Sequence, residues 1–581
     1  MAVKQTFGLS AQRLLRGLLV VSFAFAALAQ ASAQAVPPAQ PAAAHARNGM
    51  VVSEEARATR IGVEILRQGG NAVDAAVAVG FALAVTLPES GNLGGGGFMV
   101  VRLAQGNRAV AIDYRETAPA SATSNMFLNE KGEADPEKSR YSGLAVGVPG
   151  TVAGLAHAHR NYGSGKFTLA QLIAPAIPLA RDGIEIDNRM AYSLGRGQKF
   201  FSRYQSSAKV FLKADGTAPG AGDRLVQRDL ASSLEAIARE GPRAFYEGPI
   251  ADQIAASVRS AGGHMTRADL TTYQVREREP VRGSYRGHEV ISMPPPSSGG
   301  VHLVQMLNLL EGYDLRALGH NSPETIHLLA EAMKLAYADR SEFLGDPDFV
   351  KVPVTGLTSK RYADTLRKRI DRERARSAAE IKPGKANLFE SDHTTHFSVV
   401  DRDGNAVANT YTLNFFFGLG MVAEGTGVLL NNELDDFAAA HGVPNAYGLV
   451  GGDANAPGPR KRPLSSMTPT IVLKDGKPFL VTGAAGGSRI ITSVLQTIVN
   501  AVDFGMDAGA AVAAPRVHHQ WLPDELELEA GIDPSVLLAL EGRRHNAREG
   551  RSGRSVNTIM ATGDGFSGST DPRSGGLAEG F

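Results

Sequence analysis

The sequence predicts an α/β protein in which mostly antiparallel strands are layered with helices. Two hairpins and the helix behind them carry that expectation. Thr395 to Asp401 alternates like a half-buried strand, Arg402-Asp403-Gly404 reads as a turn, and Ala406 to Leu413 as the return strand. Pro469 to Leu473, a turn at Asp475-Gly476, and Phe479 to Thr482 repeat the pattern. Hairpin links make neighbouring strands antiparallel. A helix is expected after the second hairpin, with Ile491, Val494, Leu495, Ile498 and Val502 on one face.

The other elements follow along the chain. Lys4, Arg13 and Arg16 precede an apolar run from Leu18 to Ala29, and Ala31-Ser32-Ala33 supplies the small-x-small pattern of a cleavage site. Residues 1–33 therefore read as a signal peptide, too short in its apolar part to span a bilayer. Residues 34–47 look like a flexible leader. Residues 53–86 are expected to form two helices, with Ala56, Ile61, Ile65 and Leu66 on one face of the first and a break at Gly69-Gly70-Asn71. Four glycines at 94–97 lead into Phe98-Met99-Val100-Val101, a buried-strand signal, and Ala109 to Tyr114 is a second short strand. Residues 168–181 read as one amphipathic helix. Another starts at Ser322-Pro323, an N-cap followed by proline at the first helical position, and carries Ile326, Leu329, Met333 and Tyr337 inward. The basic stretch 361–390 is interleaved with Asp364, Asp371, Glu373 and Glu380, which favours a solvated helix and linker over a nucleic-acid patch.

Composition removes whole classes of function. The 581 residues hold 60 Lys plus Arg against 59 Asp plus Glu, so no net field favours nucleic acid or an anionic membrane. Loss of residues 1–33 leaves 57 basic against 59 acidic residues. Cysteine is absent, which excludes disulfides, thiolate metal sites and cysteine nucleophiles. The 65 glycines exceed the usual share of about 7% and imply tight turns and close backbone approaches. No zinc or calcium motif is present: His393 and His396 lack metal-ligand spacing, and His518-His519 reads as packing.

A Thr-Thr pair heading a strand is unremarkable alone. The segment His393-Thr-Thr-His-Phe-Ser-Val-Val-Asp401, however, resembles the processing and nucleophile site of the γ-glutamyltranspeptidases (glutathione hydrolases). The likeness continues through Gly70-Asn-Ala-Val-Asp-Ala-Ala-Val-Ala78, Gly94 to Met99, Asp113-Tyr-Arg-Glu116 and Thr410-Tyr-Thr-Leu-Asn414. It extends to Asn431-Asn-Glu-Leu-Asp-Asp-Phe437, Arg462-Pro-Leu-Ser-Ser-Met-Thr-Pro469, Gly486-Gly-Ser-Arg489 and Asp571-Pro-Arg573. The order and spacing of these segments are what make the match specific.

The resemblance implies an N-terminal-nucleophile (Ntn) hydrolase: a four-layer αββα sandwich with two stacked, mainly antiparallel sheets. It implies self-cleavage between His393 and Thr394 into a large subunit (34–393) and a small one (394–581), held as a heterodimer from one precursor. The chemistry is coherent. A threonine hydroxyl needs a base. The amide nitrogen of an internal Thr394 cannot serve, whereas a freed α-amine, with a reference pKa of about 7.7–8.0, can.

The other roles come with the resemblance: Thr412 orients Thr394, and Gly486 and Gly487 offer N–H groups to an oxyanion before a helix N-terminus. Arg115, Ser465 and Ser466 receive the α-carboxylate of a γ-glutamyl substrate, while Asn414, Glu433 and Asp436 receive its α-ammonium. Residues 438–462 resemble a lid loop with Tyr447 as its gating aromatic. The expected activity is γ-glutamyl transfer from glutathione and related compounds to water, an amino acid or a dipeptide. It needs no cofactor and no metal, in an exported, periplasmic protein. The chain departs from the pattern at Phe415-Phe416-Phe417, where smaller or polar residues are usual; this bears on the acceptor. Two alternatives stand beside this reading: a cephalosporin or glutaryl acylase on the same scaffold, and an exported solute-binding protein without catalysis.

Overall fold

A computed structural model describes residues 43–381, 393–440, 453–550 and 555–581. The expected signal peptide, Tyr447 and the middle of the expected lid lie outside these residues. Two seven-stranded sheets form the centre, and every strand pair in them is antiparallel. The first sheet runs Leu577–Gly580, Gly49–Ser53, His393–Asp401, Ala406–Asn414, Gly96–Leu103, Arg108–Tyr114, Arg276–Arg278. The second runs Ala44–Ala46, Phe566–Thr570, Ser555–Ala561, Lys477–Ala485, Thr470–Lys474, His288–Ser292, Val281–Tyr285. Each predicted hairpin lies in a different sheet. Both sheets mix strands from before and after Thr394, so the two halves of the chain share one fold.

The period-2 rule of strands explains the layering. Met50, Val52, Phe98, Val100 and Ala408 belong to the core that includes the second sheet, while Val51, Met99, Val101, Val399 and Val407 belong to the helix-covered core. Helices Ala56–Arg67, Ala72–Thr86 and Thr151–Tyr162 contribute to the latter core. Gly299–Leu310, Pro323–Phe343 and Arg489–Val502 contribute to the former. Helix Ala72–Thr86 is buried all round, as its uniformly apolar sequence requires, and begins with an Asn71/Asp74 capping box. Ser322 caps Pro323–Phe343 by accepting from the Thr325 N–H at 3.1 Å.

Two expectations are corrected. The strand His393–Asp401 is not half-exposed: from Thr394 onward both faces are buried. Its polar alternation faces the second sheet, where His396 bonds Thr410 at 2.8 Å and Ser398 at 3.0 Å, and Asn557 donates to the His396 carbonyl at 2.6 Å. Residues 168–181 form two short helices, Leu169–Ile173 and Ala176–Arg181, because Pro175 has no N–H to continue the ladder. Among its described residues the basic stretch is the expected helix and linker: a helix over Lys360–Arg367 followed by non-helical chain to 381, with Arg367 donating to the carbonyls of Asn308 and Leu309.

Candidate active site

Thr394 lies one residue into the hairpin strand and is 5% exposed. Directly opposite is Thr412, whose hydroxyl accepts from the Asn414 N–H at 2.8 Å. The ladder slips at one place: His393 pairs with Asn414 but Thr394 pairs with Thr412, so an irregularity falls on the His393–Thr394 bond. Asn414 holds φ = 77°, a left-handed conformation costly for a residue with a Cβ. The strained step and the expected scission coincide.

The glycine run 94–97 has its reason here. A Cβ on Gly95 would lie 2.0 Å from the Thr412 carbonyl oxygen, and one on Gly97 2.4 Å from that of Thr410. Only glycine lets this backbone reach the strand that faces Thr394. Asn92 completes the support by donating to the Thr412 carbonyl at 2.9 Å.

One pocket brings together Arg115, Thr394, Thr412, Glu433, Asp436, Ser465, Ser466, Met467 and Ile490. Arg115 follows directly on strand Arg108–Tyr114 and is fully buried. It is ion-paired to Glu433 and Asp436 and lies 3.8 Å from Glu116. The sequence reading assigned Arg115 to a carboxylate and the two acids to an ammonium. In the structure Arg115 pairs with one oxygen of each of those two acids.

One cation faces three acids, all buried. Burial, opposed by Arg115 and reinforced by Glu116, pushes Glu433 up to about 8. Burial likewise pushes Glu116 up to about 7 and Asp436 well above the usual carboxylate range. Burial lowers the Arg115 pKa, but the three acids more than reverse it. Burial thus favours the protonated form of each of the three acids. Even so, Glu433 Oε2, Asp436 Oδ1, both Glu116 oxygens and Asn414 Oδ1 are buried acceptors lacking a hydrogen-bond donor. Buried acceptors of this kind normally find donors.

Ser465 and Ser466 also line the pocket. Arg340, fully buried and not singled out from the sequence, donates to Ser466 Oγ at 3.3 Å and to Ser298 Oγ at 2.8 Å. Ser298 also donates its N–H to the Ser465 carbonyl at 2.7 Å. Gly486 and Gly487 link strand Lys477–Ala485 to helix Arg489–Val502 with φ values of 129° and 62°. They do not line the pocket as Ile490 does, but they hold the turn that delivers Ile490 to it. His396 is fully buried, and burial alone pulls it down to about 3, so it carries no charge. His393 is described here by its backbone only. Within segment 438–462, Asn455 donates to the carbonyl of the pocket residue Asp436 at 2.7 Å and accepts from the Leu464 N–H at 3.0 Å. Glu116, Asn92 and Arg340 were missed as site residues. Glu116 stood within a recognised segment, while the other two gave no local signal.

Comparison with known proteins decides the family. The family model described as Gamma-glutamyltranspeptidase matches residues 58–581.

The chain belongs to the gamma-glutamyltranspeptidase family.

It is 53% identical over 555 residues to the glutathione hydrolase proenzyme of Escherichia coli (strain K12), covering 94% of this chain and 95% of that protein. Among solved structures, the cephalosporin acylase from Bacillus halodurans matches with a TM-score of 0.82 at 27% identity, covering 94% of this chain and 98% of that one. The gamma-glutamyltranspeptidase of Helicobacter pylori matches with a TM-score of 0.56 at 48% identity, covering 57% of this chain and 95% of that one. Gamma-glutamyltranspeptidases are Ntn hydrolases, and the two stacked antiparallel sheets with helices outside them are the αββα architecture of that superfamily.

Proposed function

We propose that this protein is a γ-glutamyltransferase and glutathione hydrolase that activates itself by cutting between His393 and Thr394. The carrying observation is the pair of unpartnered acceptors, Glu433 Oε2 and Asp436 Oδ1, on residues that line the pocket with Thr394 and Arg115; Asn414, with Oδ1 likewise unpartnered, is not among the lining residues. A tetrahedral ammonium would supply the donors these oxygens lack. Its arrival would free Arg115 to share its fork between the acids and an incoming α-carboxylate, with Ser465 and Ser466 alongside.

In this reading the Thr394 hydroxyl attacks the His393 carbonyl, and the ester is hydrolysed. The register slip at that bond supports the site of attack. The freed α-amine then takes the Thr394 hydroxyl proton as the oxygen attacks the γ-carbonyl. Thr412 orients the nucleophile. Gly486 and Gly487 present N–H groups to the oxyanion in a turn whose φ values suit glycine. The amine returns the proton to the leaving amine, and water or an acceptor amine then releases the γ-glutamyl group. No step requires a cofactor.

The relative's designation as a proenzyme and the shorter Helicobacter pylori chain both support division into two subunits. The leader read in residues 1–33 supports export to the periplasm. Among the described residues no helix is long and apolar enough to cross a membrane.

An acylase reading is favoured by the TM-score of 0.82 to the cephalosporin acylase. Against it stand the 53% identity to a glutathione hydrolase and acceptors that a substrate without an α-amine would leave unpaired. Purified protein assayed with γ-glutamyl-p-nitroanilide and glutaryl-p-nitroanilide separates the two. We expect release from the first only, by protein running as two bands of about 38 and about 20 kDa, from 61.2 kDa over 581 residues. A single band in active protein, or preference for the glutaryl compound, overturns the reading.

A further inference from the structure

Outside the pocket, helix Pro323–Phe343 carries His327 and Glu331 one turn apart, so both side chains share a face. His545 reaches the same place from the chain that follows helix Pro534–Gly542. All three residues are buried. One nitrogen of each histidine and one Glu331 oxygen lie within 4.8 Å of one another. His327 Nδ1 and His545 Nε2 are 2.8 Å apart. None of the three residues lines the pocket around Thr394.

Hydrogen bonding aims these atoms at one another. His327 Nε2 lies 2.7 Å from the Asp371 carbonyl, which only accepts, so Nε2 carries the hydrogen. In the neutral imidazole this leaves the Nδ1 lone pair facing His545, whose Nε2–H donates to it. A carbonyl on the far nitrogen is the support that fixes ring direction and tautomer for metal-binding histidines. Glu331 Oε1 is buried and accepts no hydrogen bond among the described residues. Its charge is balanced by Lys334, which pairs with it and also donates to the Arg376 carbonyl. Asp371 and Arg376 belong to the linker that follows helix Lys360–Arg367. Arg543 fastens the same linker, donating to the Arg372 carbonyl at 2.7 Å and accepting from the Ala375 N–H at 2.7 Å.

We propose that His327, Glu331 and His545 form a site for a divalent cation of the zinc class, which clasps the linker to helix Pro323–Phe343. Two imidazoles and one carboxylate are a set that suits zinc, whereas calcium and magnesium prefer oxygen ligands alone. Water completes the tetrahedron. Loading moves the His545 hydrogen from Nε2 to Nδ1, so both imidazoles stay neutral, and Glu331 exchanges Lys334 for the ion. The two nitrogens part to about 3.3 Å, the span of two zinc–nitrogen bonds of about 2.0–2.1 Å at a tetrahedral angle. The inference is independent of the γ-glutamyl reading, since no residue of the pocket takes part.

The test uses the full protein, treated with a chelator that is then dialysed away. Zinc chloride alone is titrated by calorimetry, and cobalt chloride by visible absorption. A single zinc ion per chain should bind and raise the thermal midpoint, and cobalt should give the intense bands of tetrahedral coordination; magnesium should do neither. Glu331→Gln and His545→Gln each remove a ligand and should weaken zinc binding at least about ten-fold, no less than the loss of an outer-shell partner costs. Lys334→Met removes the competing cation and should tighten it about five-fold, the effect of one unit charge about 4 Å away even at the dielectric of water. The thermal transition verifies folding of each variant, and either ligand variant decides the matter without the others. A parent that takes up no zinc, or a folded ligand variant that binds it as tightly as the parent, overturns the inference. Zinc bound no more tightly by folded Lys334→Met overturns the placing of the ion at Glu331.

Discussion

Two ionic clusters in this molecule obey opposite rules. Around Asp571 two cations meet two acids. Asp571 Oδ2 accepts from Arg516 at 2.6 Å and the Val556 N–H at 3.2 Å, and its Oδ1 accepts from Arg573 at 2.9 Å. Glu529 Oε2 accepts from Arg573 at 2.6 Å and the Arg516 N–H at 2.9 Å. Each of these oxygens has donors. Around Arg115 one cation meets three acids, and several oxygens have none. A balanced network serves architecture, whereas a buried acid-rich one with spare acceptors is costly to hold without further donors.

The largest effect expected is at Thr394, the proposed nucleophile, which lines the same pocket as the unbalanced cluster. Thr394→Ala should leave one uncut chain on a denaturing gel and no detectable release from γ-glutamyl-p-nitroanilide. A cut or active T394A protein would take Thr394 out of the mechanism.

Breaking the balanced cluster should do the reverse. Asp571→Ala leaves Arg516 buried without its carboxylate, and removing one partner of a buried pair costs about 3–5 kcal/mol. The thermal midpoint should fall clearly, while donor KM in the protein that remains folded changes by less than about two-fold. A large KM change at an unaltered midpoint would erase the distinction between the two clusters.

The balanced cluster was invisible as a unit in the sequence, although Asp571 and Arg573 stood in a recognised segment. Its other members, Arg516 and Glu529, lie on separate elements, and nothing local marks them. The hairpins, by contrast, were legible because turn chemistry and period-2 alternation are local. The alternation of Thr394, His396 and Ser398 was read correctly as a strand but wrongly as half-exposed. A polar stripe looks the same whether it meets water or a second polar-lined sheet. The pocket was legible only through resemblance, which named Arg115, Glu433 and Asp436 without showing that they pair with one another when empty. Arg340 and Asn92, which support Ser466 and Thr412 from distant helix and loop positions, required three dimensions.

Glu433 offers a finer comparison, because glutamine keeps its shape and an acceptor while removing charge. Glu433→Gln should shift donor KM by less than about five-fold and raise the thermal midpoint, since one acid fewer faces Arg115. Glu433→Ala should raise donor KM at least ten-fold by removing the acceptor outright. Equal KM values for the two variants would deny Glu433 a place at the ammonium.

The smallest effect is a proton count. The Glu433 and Glu116 carboxyls are raised by burial to about 8 and about 7, above their ordinary values near 4.5. A raised carboxyl holds a proton in the folded, empty pocket at pH values where the unfolded chain has released it. By linkage, what these groups contribute to stability is therefore fully present below about 4.5 and lost as pH rises through about 7–8. Binding runs the other way, because an ammonium needs the carboxylates charged and displaces their protons. Affinity for L-glutamate, which carries the same α-amine and α-carboxylate, should rise between pH 6 and pH 8. At pH 7 the calorimetric heat of binding should differ between phosphate and Tris, whose ionisation enthalpies differ, because protons leave the pocket. The difference should shrink in Glu433→Gln, which keeps the Thr394 amine and so separates the acids from that group. Identical heats in both buffers would mean the pocket acids are already ionised when empty, and the contrast with the balanced cluster would then rest on orphaned oxygens alone.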